Sequence, residues 1–260
     1  MNRLARRSLK VLAGIVIVVA VLLGLQISVV AFPQPWFKQS VRGDHLTIYS
    51  DETGGAGKEQ LEAVFRDVRE RIQAVEIYDD SADMRVFVCN NRSLYNLFAR
   101  LSRVPTHVPG FNLSLFNNSF VCVPLLERRQ ANNAAGVRHS VLGGGMAGAI
   151  AHELVHDYTQ ERIGFFAYRR LPSWKTEGYA EYGANGIRIR QDAGQTLADR
   201  IRLMKSEIRD SRAREYYRWS LVVEYLARQR GYSFAGIMDP ATTLDDATTQ
   251  MMVWYSNQGS

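Results

Sequence analysis

His152-Glu153-Leu154-Val155-His156, followed by Trp174-Lys175-Thr176-Glu177-Gly178-Tyr179-Ala180-Glu181-Tyr182, decides how the chain is read. On an α-helix, positions i and i+4 lie one turn apart on the same face, so His152 and His156 present two imidazoles to one point. Such a point is a metal site. Zinc (Zn2+) suits it, because zinc accepts neutral imidazole and carboxylate at about 2.0–2.2 Å and in catalytic sites keeps a fourth position for water. Glu153, next along the helix, is placed to take a proton from that water. The competing reading is two surface histidines on an ordinary helix. The small residues from Ala147 to Ala151 and the apolar pair Leu154 and Val155 speak for a helix that enters a core instead.

The third ligand is sought downstream. A histidine in an H-E-x-x-H-x-x-G-x-x-H run would mark a metzincin. Asp157-Tyr158-Thr159-Gln160-Glu161-Arg162 holds no such pattern, and no histidine follows His156. The remaining ligand is therefore a carboxylate, and Glu177, 21 positions beyond His156, is the candidate. The Leu171-Pro172-Ser173-Trp174 turn and the Glu177-Gly178-Tyr179-Ala180-Glu181 run resemble the second ligand helix of gluzincin metallopeptidases, which include bacterial peptidase-MA-like domains. The resemblance covers roughly residues 140 to 230.

That resemblance implies an α+β, zincin-like fold in which a small mixed sheet with helices precedes a mainly helical half carrying the zinc. It implies His152, His156 and Glu177 as ligands and Glu153 as general base for peptide-bond hydrolysis. Glu181, one turn beyond Glu177, either hydrogen-bonds the outer nitrogen of a ligand imidazole or is a solvated helix carboxylate. Asp157 reads as a helix-surface residue. The Tyr216-Tyr217-Arg218-Trp219-Ser220 segment and the apolar helix after it resemble the element downstream of the zinc in the same family. Tyr217 is accordingly the candidate donor to the oxyanion, with Tyr216 and Tyr225 behind it; the alternative is a tyrosine packed in a helix interface. Gly144-Gly145-Met146-Ala147-Gly148 lacks the Glu and Asn of the Gly-x-Met-Glu-Asn pattern by which the aminopeptidase branch binds a free amino group.

At the start of the chain, Arg3, Arg6, Arg7 and Lys10 stand without an acidic residue in positions 1–10, and Val11 to Phe32 is a 22-residue uncharged stretch. As a helix it spans roughly 33 Å, enough to cross a bilayer. It reads as an uncleaved anchor or, with Val29-Val30-Ala31 as cleavage site, as a signal peptide. The basic flank is expected to stay in the cytoplasm, which places the rest outside, on the periplasmic side of a bacterial inner membrane. Of the net charge of +6, the four basic residues account for +4, so the remainder is nearly balanced. No basic stripe with interleaved aromatics points to nucleic acid.

Residues 33–43, opening Pro33-Gln34-Pro35-Trp36, read as a linker at the membrane surface, and 44–260 as one catalytic domain. Within it His45–Tyr49, Met84–Cys89 and Ser119–Val123 read as strands. Leu61, Val64, Phe65, Val68, Ile72 and Val75 fall at helical spacing, as do Leu94, Leu97, Phe98 and Leu101. Ser119–Val123 is either the sheet edge that pairs with substrate, as the resemblance implies, or an interior strand. Leu126–Arg138 reads as a polar loop, Gly143-Gly144-Gly145 as a flexible lead into the motif helix, and Ser233–Ser260 carries no chemical signature. Helices are expected from Leu197 to Ile208 and from Tyr216 to Leu226. Cys89 and Cys122 either form a disulfide, which would contribute about 3–4 kcal/mol for a loop of this size, or are two buried thiols.

These readings point to a membrane-anchored zinc peptidase acting on peptides or proteins. The alternative is an envelope protein that keeps the fold and the metal but binds a peptide or partner without turnover.

Overall fold

Alternation along Met84–Cys89 sends Met84, Val86 and Val88 to one side and Phe87 and Cys89 to the other, and all five are buried. A strand buried on both faces belongs inside a sheet covered on both sides. In the computed structural model, which describes residues 3–53, 55–133, 145–185, 196–206 and 211–258, it is the middle strand of five. The strands are β1 (Gln39–Gly43), β2 (Leu46–Ser50), β3 (Met84–Cys89), β4 (Gly110–Leu113) and β5 (Asn118–Cys122), in the order β1-β2-β3-β5-β4. β2, β3 and β5 are parallel, while β1 and β4 run antiparallel to their neighbours at the two edges. The fold is α+β: α1 (Arg3–Ala31), α2 (Gly55–Gln73), α3 (Arg92–Leu101) and α4 (Val123–Asn133) accompany the sheet. A helical half follows, with α5 (Gly145–Ile163), α6 (Phe165–Tyr168), α7 (Ser173–Ala184), α8 (Leu197–Ser206), α9 (Ser211–Gln229), α10 (Phe234–Met238) and α11 (Leu244–Ser256).

The two faces of the sheet carry two cores. Ile48, Met84, Val86 and Val88 join α2, α5, α7 and α9 in the larger one. Phe87, Phe120 and Phe111 stack on the other face beneath α3, with Phe37 and Val30 closing the cluster. α5 is covered almost all round, which explains its run of small residues: Ala147, Gly148, Ala149 and Ala151 let neighbours approach from several sides.

α7 lies tight against α9 at Gly178, where an added Cβ would lie 3.0 Å from both the Cβ and the carbonyl oxygen of Trp219. A carbonyl in a packed helix cannot swing aside as a side chain can. Gly178→Ala is therefore expected to destabilise: overpacking costs about 1–3 kcal/mol, against a gain of about 1 kcal/mol in helix propensity. A lowered urea midpoint checks this, and a raised one would show that α7 and α9 separate freely.

Several expectations change. β5 is an interior strand between β3 and β4, the second of its two readings, and the edge on the α5 side is β4, which sequence reading passed over. Pro109-Gly110 reads as a turn, and the strand that follows has four residues. Residues 39–43, read as linker, are β1, recruited by the ladder of β2 through a tight turn with Asp44 in the left-handed region. Val123–Asn133 is helical where a loop was expected from 126 onward; Pro124 sits in the first turn, where a missing N–H costs nothing. Residues 134–138, Gly143, Gly144 and Ile208 lie outside the described residues. The tail supplies α10 and α11, whose Phe234, Ile237 and Met251 belong to the larger core.

Cys89 and Cys122 stand directly opposite each other on β3 and β5 and are buried free thiols, so of the two readings the structure holds the second. Burial raises both thiol pKa values and makes them poor nucleophiles. α1 carries the apolar stretch Leu12–Ala31, with mean hydropathy 2.7 and only 6% of the stretch buried, the properties of a membrane anchor or a signal sequence.

Candidate metal centre

The centre is built where α5 meets α7. His152 and His156 project from one face of α5, and Glu177 projects toward them from α7. The separations are 3.0 Å between the two Nε2 atoms, 3.3 Å from His152 Nε2 to Glu177 Oε2, and 3.5 Å from His156 Nε2 to the same oxygen. Donors about 2.0–2.1 Å from a tetrahedral ion are about 3.3–3.4 Å apart, so this triangle has the edges of a zinc site. The imidazole planes are nearly perpendicular, at 87°. At 3.0 Å the two Nε2 lone pairs need a proton or a cation between them, and two imidazoles with a carboxylate are a donor set that suits zinc. Both histidines are buried, while the Glu177 side chain is 27% exposed and marks the open side.

Glu181 is fully buried, which excludes the solvated reading. Its Oε2 lies 3.6 Å from His152 Nδ1, and its Oε1 accepts from Asn185 Nδ2 at 3.0 Å. The carboxylate thus faces the outer nitrogen of His152 from just beyond hydrogen-bond length. On the other imidazole the partner is one that sequence reading missed: Tyr168 Oη lies 2.9 Å from His156 Nδ1, and with Nε2 given to a metal that nitrogen would carry the proton and donate it to the phenol oxygen. Tyr168 lies on α6, after a break at Gly164, and no fixed spacing from the motif announces it. Outer partners of this kind fix the tautomer and ring orientation of a ligand. Tyr168→Phe, which keeps the ring and removes the acceptor, is expected to lower zinc affinity about 10- to 100-fold. Titration against a competing chelator would show it, and an unchanged affinity would remove Tyr168 from the centre.

Burial works against charge on His152, but the Glu177 and Glu181 carboxylates outweigh it and raise the pKa of the imidazole. Burial likewise opposes ionisation of Glu177, yet the two imidazoles hold it well below the usual carboxylate range. Glu153 is pushed up to about 7, chiefly by burial, with the imidazoles pulling the other way. A Cβ on Gly110 would sit 2.5 Å from Glu153 Oε1, so edge strand β4 backs directly onto this carboxylate, and a side chain there would force it to shift.

Asp157 is not a surface residue. It is buried, accepts from Ser119 Oγ at 2.6 Å and Asn112 Nδ2 at 2.9 Å, and with the Ser114–Gln160 hydrogen bond it ties α5 to β4 and β5. Tyr217 is buried in the larger core on α9, the helix packed against α7. Searches against protein-family models and against curated proteins find no match to the chain.

Proposed function

We propose that the protein is a membrane-anchored zinc peptidase of the gluzincin kind, its domain on the extracytoplasmic side. The observation that supports this most is the near-equilateral triangle of His152 Nε2, His156 Nε2 and Glu177 Oε2, with the Glu153 carboxylate beside it and a sheet edge behind that carboxylate. Bound there, zinc supplies Lewis acidity, which polarises a carbonyl and makes water acidic near neutral pH.

The chain's own residues do the rest. β4 is an edge strand among the described residues, the kind of edge to which an extended peptide can add as a further strand. Glu153 takes a proton from water as the new C–O bond forms, and gives it to the amine nitrogen as the C–N bond breaks. Tyr217, as donor, would stabilise the carbonyl oxygen as it gains charge.

The test is to incubate the zinc-loaded full-length protein in nanodiscs with a diverse peptide mixture and to read new N-termini by mass spectrometry. Cleavage that chelation stops and zinc restores is expected. Peptides retained intact on the zinc-loaded protein would instead establish the binding-protein alternative.

A further inference from the structure

We infer that the end of the domain where α1 arrives is itself a membrane-docking surface, made of Phe166 and Leu115 with Arg162, Arg169 and Arg170, which binds an anionic bilayer and holds the metal centre close to it. The inference rests on reading α1 as an anchor.

α1 does not simply hang from the domain. Gln26 Nε2 donates to the carbonyl of Leu101 at the end of α3, at 2.6 Å. Asn118 Nδ2, at the start of β5, donates to the carbonyls of Val30 and Ala31 at 2.9 and 3.2 Å. Val30 is part of the smaller core. These contacts fix which end of the domain faces the bilayer.

The 3-10 turn Ser114–Phe116 lies at that end, just before β5, and its Leu115 is 76% exposed. α5 points the same way as β4, because Gly110 faces Glu153, Asn112 reaches Asp157 and Ser114 reaches Gln160. The last turn of α5 and the α6 that follows therefore come to the same end, and there Phe166 is 77% exposed. Phe32, 64% exposed, leaves α1 at this end too.

The sequence around Phe166 is Arg162-Ile163-Gly164-Phe165-Phe166-Ala167-Tyr168-Arg169-Arg170, aromatic in the middle and cationic at both sides. All three arginines are exposed; Arg162 faces Asp79 and adjoins Glu161, so Arg169 and Arg170 carry the free positive charge, and the Arg169 guanidinium lies over the Phe165 ring, 5.5 Å from its centroid. Aromatic rings suit the interfacial layer, and arginines suit anionic headgroups. The surface lies at the end of the domain from which the apolar helix departs, which argues for lipid as its occupant. Tyr168, two residues beyond Phe166, touches ligand His156. The metal centre thus lies close to this surface, and a polypeptide segment lying on or emerging from the membrane is the substrate class that proximity favours.

To test this, the full chain is reconstituted in vesicles with brominated acyl chains, made of phosphatidylcholine with or without phosphatidylglycerol. Each protein carries one NBD fluorophore, at Phe166→Cys, Leu115→Cys, Val19→Cys within the helix, or Ser93→Cys at the far end of α3. The buried Cys89 and Cys122 are shielded from the reagent. Labels at 166 and 115 are expected to be quenched several-fold more than the label at 93, and more strongly with phosphatidylglycerol. A quenched label at 19 with 166 and 115 no more quenched than 93 would overturn the inference and leave the anchor standing. An unquenched label at 19 would overturn the anchor reading, and the inference with it. Quenching at 166 and 115 that is indifferent to phosphatidylglycerol would overturn the role of the arginines.

Discussion

Glu153→Gln is expected to lose peptide hydrolysis about 10²- to 10⁴-fold while keeping its zinc. The range is what a positioned general base contributes, and it corresponds to about 3–5 kcal/mol in the barrier. Glutamine keeps the size and shape of the side chain, so the close contact with Gly110 is preserved, but its amide cannot accept the proton that water must give up. The three donors to the metal are untouched. Initial rates on a peptide cleaved by the wild type, with zinc content and circular dichroism on the same preparation, separate the outcomes. Undiminished hydrolysis would remove Glu153 from the chemistry, and loss of zinc together with activity would make it a structural residue.

The second large effect belongs to the metal. Glu177→Ala removes one corner of the donor triangle and the one negative ligand, leaving His152 and His156 with their Nε2 atoms 3.0 Å apart. Zinc affinity should fall by more than the ~10- to 100-fold that loss of an outer partner costs. The fold should remain: the Glu177 side chain is partly exposed, and alanine favours a helix. Zinc content after dialysis against a weak chelator, beside an unchanged circular dichroism spectrum, is the readout. Retention of a full equivalent of zinc would mean that the metal sits elsewhere.

The site was largely legible in the sequence because its ligands obey local rules. His152 and His156 are one helical turn apart, and the carboxylate could be sought in the next acidic helix. The structure brings all three together. Residues that act across the fold left no such trace. Tyr168 reaches His156 only because α5 ends at Ile163 and the chain folds back through α6, while Gly110 matters only because β4 lies against α5. Asp157 looked like a surface charge beside the motif, yet it is buried by partners more than 35 positions away, Ser119 and Asn112. The strands buried on both faces, β3 and β5, stood out as apolar runs. The edge strands β1 and β4 did not, because hydrogen bonds from a neighbour define them more than their own composition does. α5, buried almost all round, has no solvent face for periodicity to reveal, and its motif and small residues disclosed it.

The most direct test of the account is zinc K-edge X-ray absorption on the full-length wild-type protein in nanodiscs, with metal content measured on the same sample. About one zinc per chain is expected, with two imidazole nitrogens and carboxylate oxygen at about 2.0–2.2 Å. A folded protein that takes up no zinc when it is supplied, or a bound zinc whose first shell lacks imidazole, would contradict it.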